Sequence, residues 1–129
     1  MSKEDAIRQV LQNRQLASLG DAYVNFVYSL ALTKVNRRPE GIKVSDRILA
    51  QAFKLAGLRE YLGTRVTRKD LANASESLLV DAYLRDLLTI EESVRILIQN
   101  PDGVTSGLVD LMKLAADRVG QKAPASHDK

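Results

Sequence analysis

The chain has 129 residues, 45% of them hydrophobic and 27% charged, which suits one globular domain. It has no cysteine and one histidine, His127, two residues from its end, which excludes disulfides and thiol nucleophiles and nearly excludes histidine catalysis or metal ligation. The net charge is +3, no apolar run approaches the roughly 20 residues that span a membrane, and Met1 to Asp5 lack an apolar leader segment. We therefore expect a cytoplasmic protein without a membrane partner.

Apolar residues at helical spacing, and almost no alternation of period two, predict an all-α fold. A first helix is predicted from Ser2, its N-cap, through Leu11, ending near Asn13. A second and longer helix is predicted from Leu16 to Lys34, and it should be central because it is apolar on nearly every side. Its apolar positions are Leu16, Leu19, Tyr23, Phe26, Val27, Leu30 and Ala31. Residues 36–41, which include Pro39 and Gly41, are predicted to form a loop.

The second half of the chain has clear helix start and stop signals. Ser45 is predicted to cap a helix that runs to Ala56 and stops at Gly57, and a short turn follows from Leu58 to Gly63. Thr67, with Asp70 as the acid of a capping box, should start a long helix to Leu88. Its inward-facing positions should be Leu71, Ser75, Leu78, Leu79 and Ala82.

Two further helices complete the predicted fold. Thr89 is predicted to cap a helix that ends at Asn100. The last helix should start at Thr105 or Ser106 and run to Val119, with Gly120 as its stop. Residues 1–120 are therefore expected to form one helical domain, and residues 121–129 a disordered tail.

Positive charge is concentrated in one segment. Between Lys34 and Lys69 the chain has ten basic and three acidic residues, a net charge of +7, whereas the remainder carries −4. Such a segment is the footprint expected for a phosphate-backbone partner. The alternative is an ordinary solvated helix surface, which also carries many lysines and arginines.

Asp21 is unusual because it is the only acid between Asp5 and Glu40 and lies on an apolar helix. With Ser18, Asn25 and Ser29 it forms the one polar stripe of that helix. A partly buried carboxylate needs compensation, either from a helix N-terminus or an arginine, or from a metal ion. Both alternatives stay open at this point.

Glu76 is a second acid of interest. Lys69, Asn73, Glu76 and Val80 lie on one side of the helix predicted from Thr67, because each residue advances about 100° around the axis. The neighbours of Glu76 are small, namely Ala72, Ala74, Ser75 and Ser77. Another helix can approach closely there and place Glu76 near Asp21. Two carboxylates from facing helices would suffice for Mg²⁺, which also takes waters and substrate oxygens as ligands.

Two segments at these residues resemble a known family. Residues 19–24 (LGDAYV) resemble the signature helix of ribonuclease III endonuclease domains, which reads leucine-glycine-aspartate-alanine-valine-leucine. Residues 74–84 (ASESLLVDAYL) are similar to the family's second motif, a glutamate followed by alanine-leucine-isoleucine and then tyrosine-leucine. The resemblance covers residues 15–96 and implies a ribonuclease III endonuclease-like helical bundle.

The chain departs from the family pattern at two acidic positions. Ala17 stands four residues before Asp21, where the family has glutamate, and Asn73 stands three residues before Glu76, where it has aspartate. Alanine before the glycine-aspartate pair is also found in the Mini-III type, small relatives without a double-stranded-RNA-binding domain. The chain resembles that type and archaeal proteins of the same superfamily.

The resemblance implies a homodimer that binds double-stranded RNA and cleaves one strand with each subunit. Asp21 and Glu76 are then the expected ligands of Mg²⁺ or Mn²⁺, without an organic cofactor, and Asn73 is expected to orient a water. Lys69, Arg37 and Arg38 are the expected phosphate contacts.

Ala17 and Asn73 leave room for two other interpretations. One is a ribonuclease III-like RNA-binding or ribosome-associated module that has lost cleavage. The other is a helical interaction protein in which Asp21 is a satisfied acid, and an arginine partner for Asp21 would favour it.

Overall fold

The computed structural model describes residues 2–122, and within them it contains six α-helices, one short 3-10 helix and no strand. The all-α prediction is therefore confirmed. The helices are α1 (Lys3–Leu11), α2 (Arg14–Asn36), α3 (Asp46–Leu55), α4 (Arg68–Leu84), α5 (Ile90–Gln99) and α6 (Val104–Lys122), with the 3-10 helix at Arg59–Tyr61. None of the helices in this part of the chain is long and apolar enough to cross a membrane.

Four of the predicted helix starts are confirmed by their caps, whereas α2 starts two residues earlier than predicted, at Arg14, with Asn13 as its N-cap. The Ser2, Ser45 and Thr89 side chains accept hydrogen bonds from the backbone amides three residues later. Thr67 and Asp70 form a complete capping box at the start of α4. These short side chains satisfy amides that the helix itself leaves without an acceptor.

Two predicted helix ends are wrong. α4 ends at Leu84 rather than Leu88, because Asp86 adopts a left-handed φ of 60° and the Leu87 amide donates to the Ala82 carbonyl, as in a Schellman motif. α6 continues through Gly120 to Lys122. The Lys3 side chain packs against Gly120 there, so that an added Cβ would lie 2.6 Å from it. The predicted tail thus starts inside the helix, and residues 123–129 lie outside the described residues.

The core is built around α4. It is buried along most of its length, including every position predicted to face inward, and its largest contact is with α2. α2 has buried residues from Ala17 to Ala31, yet it leaves Leu19 50% and Phe26 53% exposed. The helix expected to be apolar on nearly every side thus buries one face and presents another to solvent.

Candidate functional site

The closest approach of α2 and α4 occurs at Gly20. A Cβ added to Gly20 would lie 2.2 Å from the Glu76 carbonyl oxygen, so only glycine fits there. This contact places Asp21, the next residue of α2, with its carboxyl group in hydrogen-bonding contact with the carboxyl of Glu76. The structure therefore brings together the two acids that the sequence analysis selected, as the small residues around Glu76 predict.

Glu76 is an acid in a buried position, with only 5% of the residue exposed. Burial, followed by the hydrogen bond and the negative charge of Asp21, raises the pKa of Glu76 to about 7. Among residues 2–121 no lysine or arginine forms an ion pair with it. Near neutral pH this carboxyl is therefore poised between its neutral and charged forms.

Asp21 is more open, with 43% of its side chain exposed. The Lys43 ammonium lies 2.9 Å from Asp21 Oδ1, and the Asn25 amide donates to the same oxygen at 3.3 Å. The hydrogen bond with Lys43 is the main cause that lowers the pKa of Asp21 below its usual value. The compensation expected for this acid is thus present, although its source is a lysine rather than an arginine or a helix N-terminus.

The polar stripe of α2 clamps the loop that carries Lys43. Side chains at successive turns of the helix bond to the backbone of residues 40–44, which run back along α2 towards Asp21. The bonds join Thr33 Oγ1 to the Glu40 amide at 3.0 Å, Ser29 Oγ to the Ile42 amide at 2.9 Å, and Asn25 Oδ1 to the Val44 amide at 2.8 Å. Lys43 therefore extends from a backbone that is held on both sides of it.

The predicted phosphate contacts fall in two places. The Lys69 ammonium is 3.5 Å from Oδ2 of Asp46. Asp46 is close enough to the carboxyl pair for its charge to raise the pKa of Glu76, so Lys69 also lies near this pair. Arg37 and Arg38 lie at the far end of α2, about 24 Å along the helix from Asp21. Arg37 is the left-handed C-cap of the helix, and Arg38 pairs with Glu40 at 3.4 Å.

Asn73 lies on the neighbouring turn of α4 and lines a hollow together with Ala17. Arg14, Asp70 and Ser77 line the same hollow. The two positions at which the family pattern has acids are thus side by side, and here they face a hollow with neutral side chains. Asn73 forms no hydrogen bond with Asp21 or Glu76.

The donor set fits a hard divalent cation that keeps most of its waters. Residues 2–122 contain no group of three or more histidine, cysteine or acidic side chains arranged to hold a metal ion. Mg²⁺ is commonly bound by one or two carboxylates, with water and substrate oxygens as its other ligands. The Asp21 and Glu76 carboxyls meet that requirement, and Glu76 lacks a cationic partner of its own.

Sequence reasoning missed Lys43 and Asp46 as residues of this site. Both residues were counted among the charges of residues 34–69, but neither was predicted to lie near Asp21 or Glu76. The polar stripe on α2 was a usable signal, because Asn25 and Ser29 needed partners and the loop after α2 is the nearest chain segment. The distance between Lys43 and Asp21 depends on how that loop folds back, which periodicity does not report.

The two helices that supply the carboxyl pair belong to a known family pattern. A family model described as Ribonuclease III matches residues 14–122, from the start of α2 to the end of α6. The chain belongs to the ribonuclease III family. The matched range is longer than residues 15–96, over which the sequence resembles the family motifs. It includes every residue of the candidate site of this ribonuclease III family member. A comparison with curated proteins finds no match.

Proposed function

We propose that this ribonuclease III family member is a metal-dependent endoribonuclease that hydrolyses phosphodiester bonds in double-stranded RNA as a homodimer. The observation that carries the proposal is the contact between the Asp21 and Glu76 carboxyls on the two helices that match the family motifs. Two oxygen ligands held by buried helices form a preorganised cation site.

In this proposal Asp21 and Glu76 hold Mg²⁺ or Mn²⁺. When bound, such an ion supplies an activated water for attack on the phosphodiester and charge stabilisation for the leaving oxygen. The pKa of Asp21 is lowered by Lys43, so this acid is charged, and Glu76 would release its proton to water on binding a cation, whose charge would stabilise the buried carboxylate. Asn73 accepts a hydrogen bond from a water at this face through its amide oxygen.

The basic residues are proposed to position the RNA. Lys69 contacts the phosphate nearest the carboxyl pair, and Arg37 and Arg38 contact phosphates further along the duplex. Double-stranded RNA is recognised mainly through its backbone and 2′-hydroxyl groups, so this surface needs no stacking aromatic residues. The cytoplasmic location expected from the sequence remains a prediction.

The exposed face of α2 supports a homodimer. Leu19 and Phe26 lie two turns apart on that face and are about half exposed. Phe26 also borders a hollow that is lined by Leu30 and the loop residues Ile42 and Lys43. Burial of this apolar face against a second copy would place two carboxyl pairs on one assembly, one for each RNA strand.

The second candidate function is an RNA-binding or ribosome-associated module without cleavage. The observation in its favour is that Ala17 and Asn73, which line one hollow, are neutral residues at two positions where the family pattern has acids. The third interpretation, a helical interaction protein, predicts an arginine partner for Asp21. Lys43 satisfies this acid in the same way, so it is the family match over residues 14–122 that disfavours this interpretation.

The test is cleavage of a long, end-labelled duplex RNA by the purified protein with Mg²⁺, with Mn²⁺ and with a chelator. Asp21→Asn and Glu76→Gln are each expected to slow metal-dependent cleavage by about 100-fold or more while RNA affinity persists, because each variant removes a metal ligand. Asp86→Asn, an exposed acid beyond the end of α4, is the matched control.

The possible results separate the candidates. RNA binding that weakens steeply with salt, with no cleavage in either metal, would favour the non-cleaving module. Cleavage that survives both Asp21→Asn and Glu76→Gln would show that the catalytic site lies elsewhere. Circular dichroism of each variant confirms that it is folded.

A further inference from the structure

Lys43 reaches the candidate metal site from a loop whose backbone is held in place. The Val44 and Ile42 amides, directly after and before it, donate hydrogen bonds to the side chains of Asn25 and Ser29. The ammonium lies 2.9 Å from Asp21 Oδ1, which is ion-pair distance to an oxygen proposed as a metal ligand. A lysine that extends from a free loop would not be held near one carboxylate in this way.

The surrounding charges place the ammonium among three acids. Besides its ion pair with Asp21, Lys43 interacts with the charges of Glu76 and Asp46. It is therefore the cation that compensates the carboxyl pair, since Lys69 is paired with Asp46 instead. The Lys43 side chain is 69% exposed, so it can rotate into solvent without disturbing the core.

We propose that Lys43 is an internal counter-ion of this site: its ammonium occupies the cation-binding side of Asp21 and is displaced when a divalent cation binds Asp21 and Glu76. The inference rests on the metal site of the proposed function and adds a positioning residue to it. Asp46 gives the displaced ammonium a second acceptor on the rim of the site.

The physical reason is competition for one carboxylate. An ammonium 2.9 Å from Asp21 Oδ1 and a divalent ion on the same carboxylate repel each other, which favours release of the exposed lysine side chain when the ion binds. Loss of the Lys43–Asp21 ion pair is then a cost of metal binding, and this cost weakens the metal affinity of the wild-type protein. Removal of the ammonium removes the cost.

The experiment measures Mn²⁺ binding to the full chain by electron paramagnetic resonance and by calorimetry, without RNA and without a cleavage readout. Lys43→Gln is expected to bind Mn²⁺ about threefold to fivefold more tightly than the wild type, which corresponds to the loss of one exposed ion pair. Lys54→Gln removes the same charge from the exposed end of α3 and should leave the affinity within about 1.5-fold of the wild type. Asp21→Asn should abolish binding.

Each outcome decides the inference. The inference is overturned if Lys43→Gln and Lys54→Gln bind Mn²⁺ with equal affinity, or if Lys43→Gln binds it more weakly than the wild type. It is also overturned if neither the wild type nor Lys43→Gln binds Mn²⁺. Cleavage measured in parallel tests the proposed function separately. If the wild type cleaves RNA but Lys43→Gln binds Mn²⁺ no more tightly than the wild type, only the counter-ion role of Lys43 is overturned. If Lys43→Gln binds Mn²⁺ more tightly but the wild type does not cleave RNA, only the nuclease proposal is overturned.

Discussion

Glu76 is an acid whose negative charge is disfavoured by the folded protein. The residue is 5% exposed, and the nearest acid, Asp21, is held in its charged form by Lys43. Burial and this neighbouring charge raise the pKa of Glu76 to about 7. Buried acids of this kind are more common at functional sites than elsewhere, because a bound cation can offset the free energy that is lost when a carboxylate is buried.

The raised pKa predicts how stability depends on pH. The folded pKa of about 7 exceeds the ordinary value of 4.5, so the folded state binds more protons than the unfolded state between these values. The contribution of Glu76 is fully present below pH 4.5 and is lost as the pH rises through 7. In metal-free buffer at pH 8 we therefore expect Glu76→Gln to be more stable than the wild type by about 2 kcal/mol.

Urea unfolding followed by circular dichroism between pH 4.5 and pH 8 measures this difference. Glu60→Gln, an exposed glutamate in the 3-10 helix, controls for the general effect of losing one acid. Parallel stability profiles of the wild type and Glu76→Gln would contradict the assigned environment of Glu76.

At the scale of elements, the site depends on how closely α2 and α4 pack. Gly20 lets the α2 backbone touch the α4 backbone at Glu76, and this contact sets the distance between the two carboxyls. The polar stripe of α2 then holds the loop of residues 40–44, which supplies Lys43. One helix thus provides an acid, the contact with the second acid and the support for their counter-ion.

Gly20→Ala is expected to destabilise the fold by about 3 kcal/mol. The added methyl group would overlap the Glu76 backbone, which cannot move away without shifting α4 in the core. Gly63→Ala is the matched control, because an added Cβ there meets nothing within 4 Å. Thermal and urea unfolding measure both variants, and equal stabilities would show that the two helices separate at little cost.

At the scale of the whole molecule, the charged site and the exposed apolar face of α2 are distinct surfaces that meet at the loop carrying Lys43. The carboxyl pair and Lys69 lie where α2, α3 and α4 meet, whereas Arg37 and Arg38 lie at the far end of α2. The exposed apolar residues of α2 form another surface, bordered by the loop and by a hollow lined by Leu30 and residues of α5. This arrangement suits the proposed assembly, in which RNA binds at the carboxyl pair and a second subunit binds at the apolar face of α2.

Phe26→Glu is expected to weaken homodimer formation by about 100-fold, because it places a charge at the centre of the proposed apolar interface. Leu55→Glu is the matched control, since Leu55 is 63% exposed on α3 and outside that surface. Analytical ultracentrifugation over a range of protein concentrations measures both variants. A wild type that remains monomeric at all concentrations would contradict the homodimer.

The sequence predicted the starts of α1, α3, α4 and α5 from their caps, because capping side chains act on amides three residues away. The starts of α2 and α6, predicted without a cap, are correct only to within two residues. Helix ends were harder to predict. Gly120 was predicted to end the last helix, but it lies inside α6, with the Lys3 side chain packed against it. The end of α4 depends on the left-handed conformation of Asp86, and this conformation is hard to predict from sequence for a residue other than glycine.

The sequence by itself determined the all-α class, the family pattern and the choice of Asp21 and Glu76, since these depend on local spacing and residue type. Only the tertiary structure decided what surrounds the two acids. The burial of Glu76, the pairing of Asp21 with Lys43 and the place of Asp46 all involve residues separated along the chain. Their charges interact because helix packing buries Glu76 and the hydrogen-bonded loop brings Lys43 close to Asp21. Neither effect is encoded in the spacing of residues along one helix.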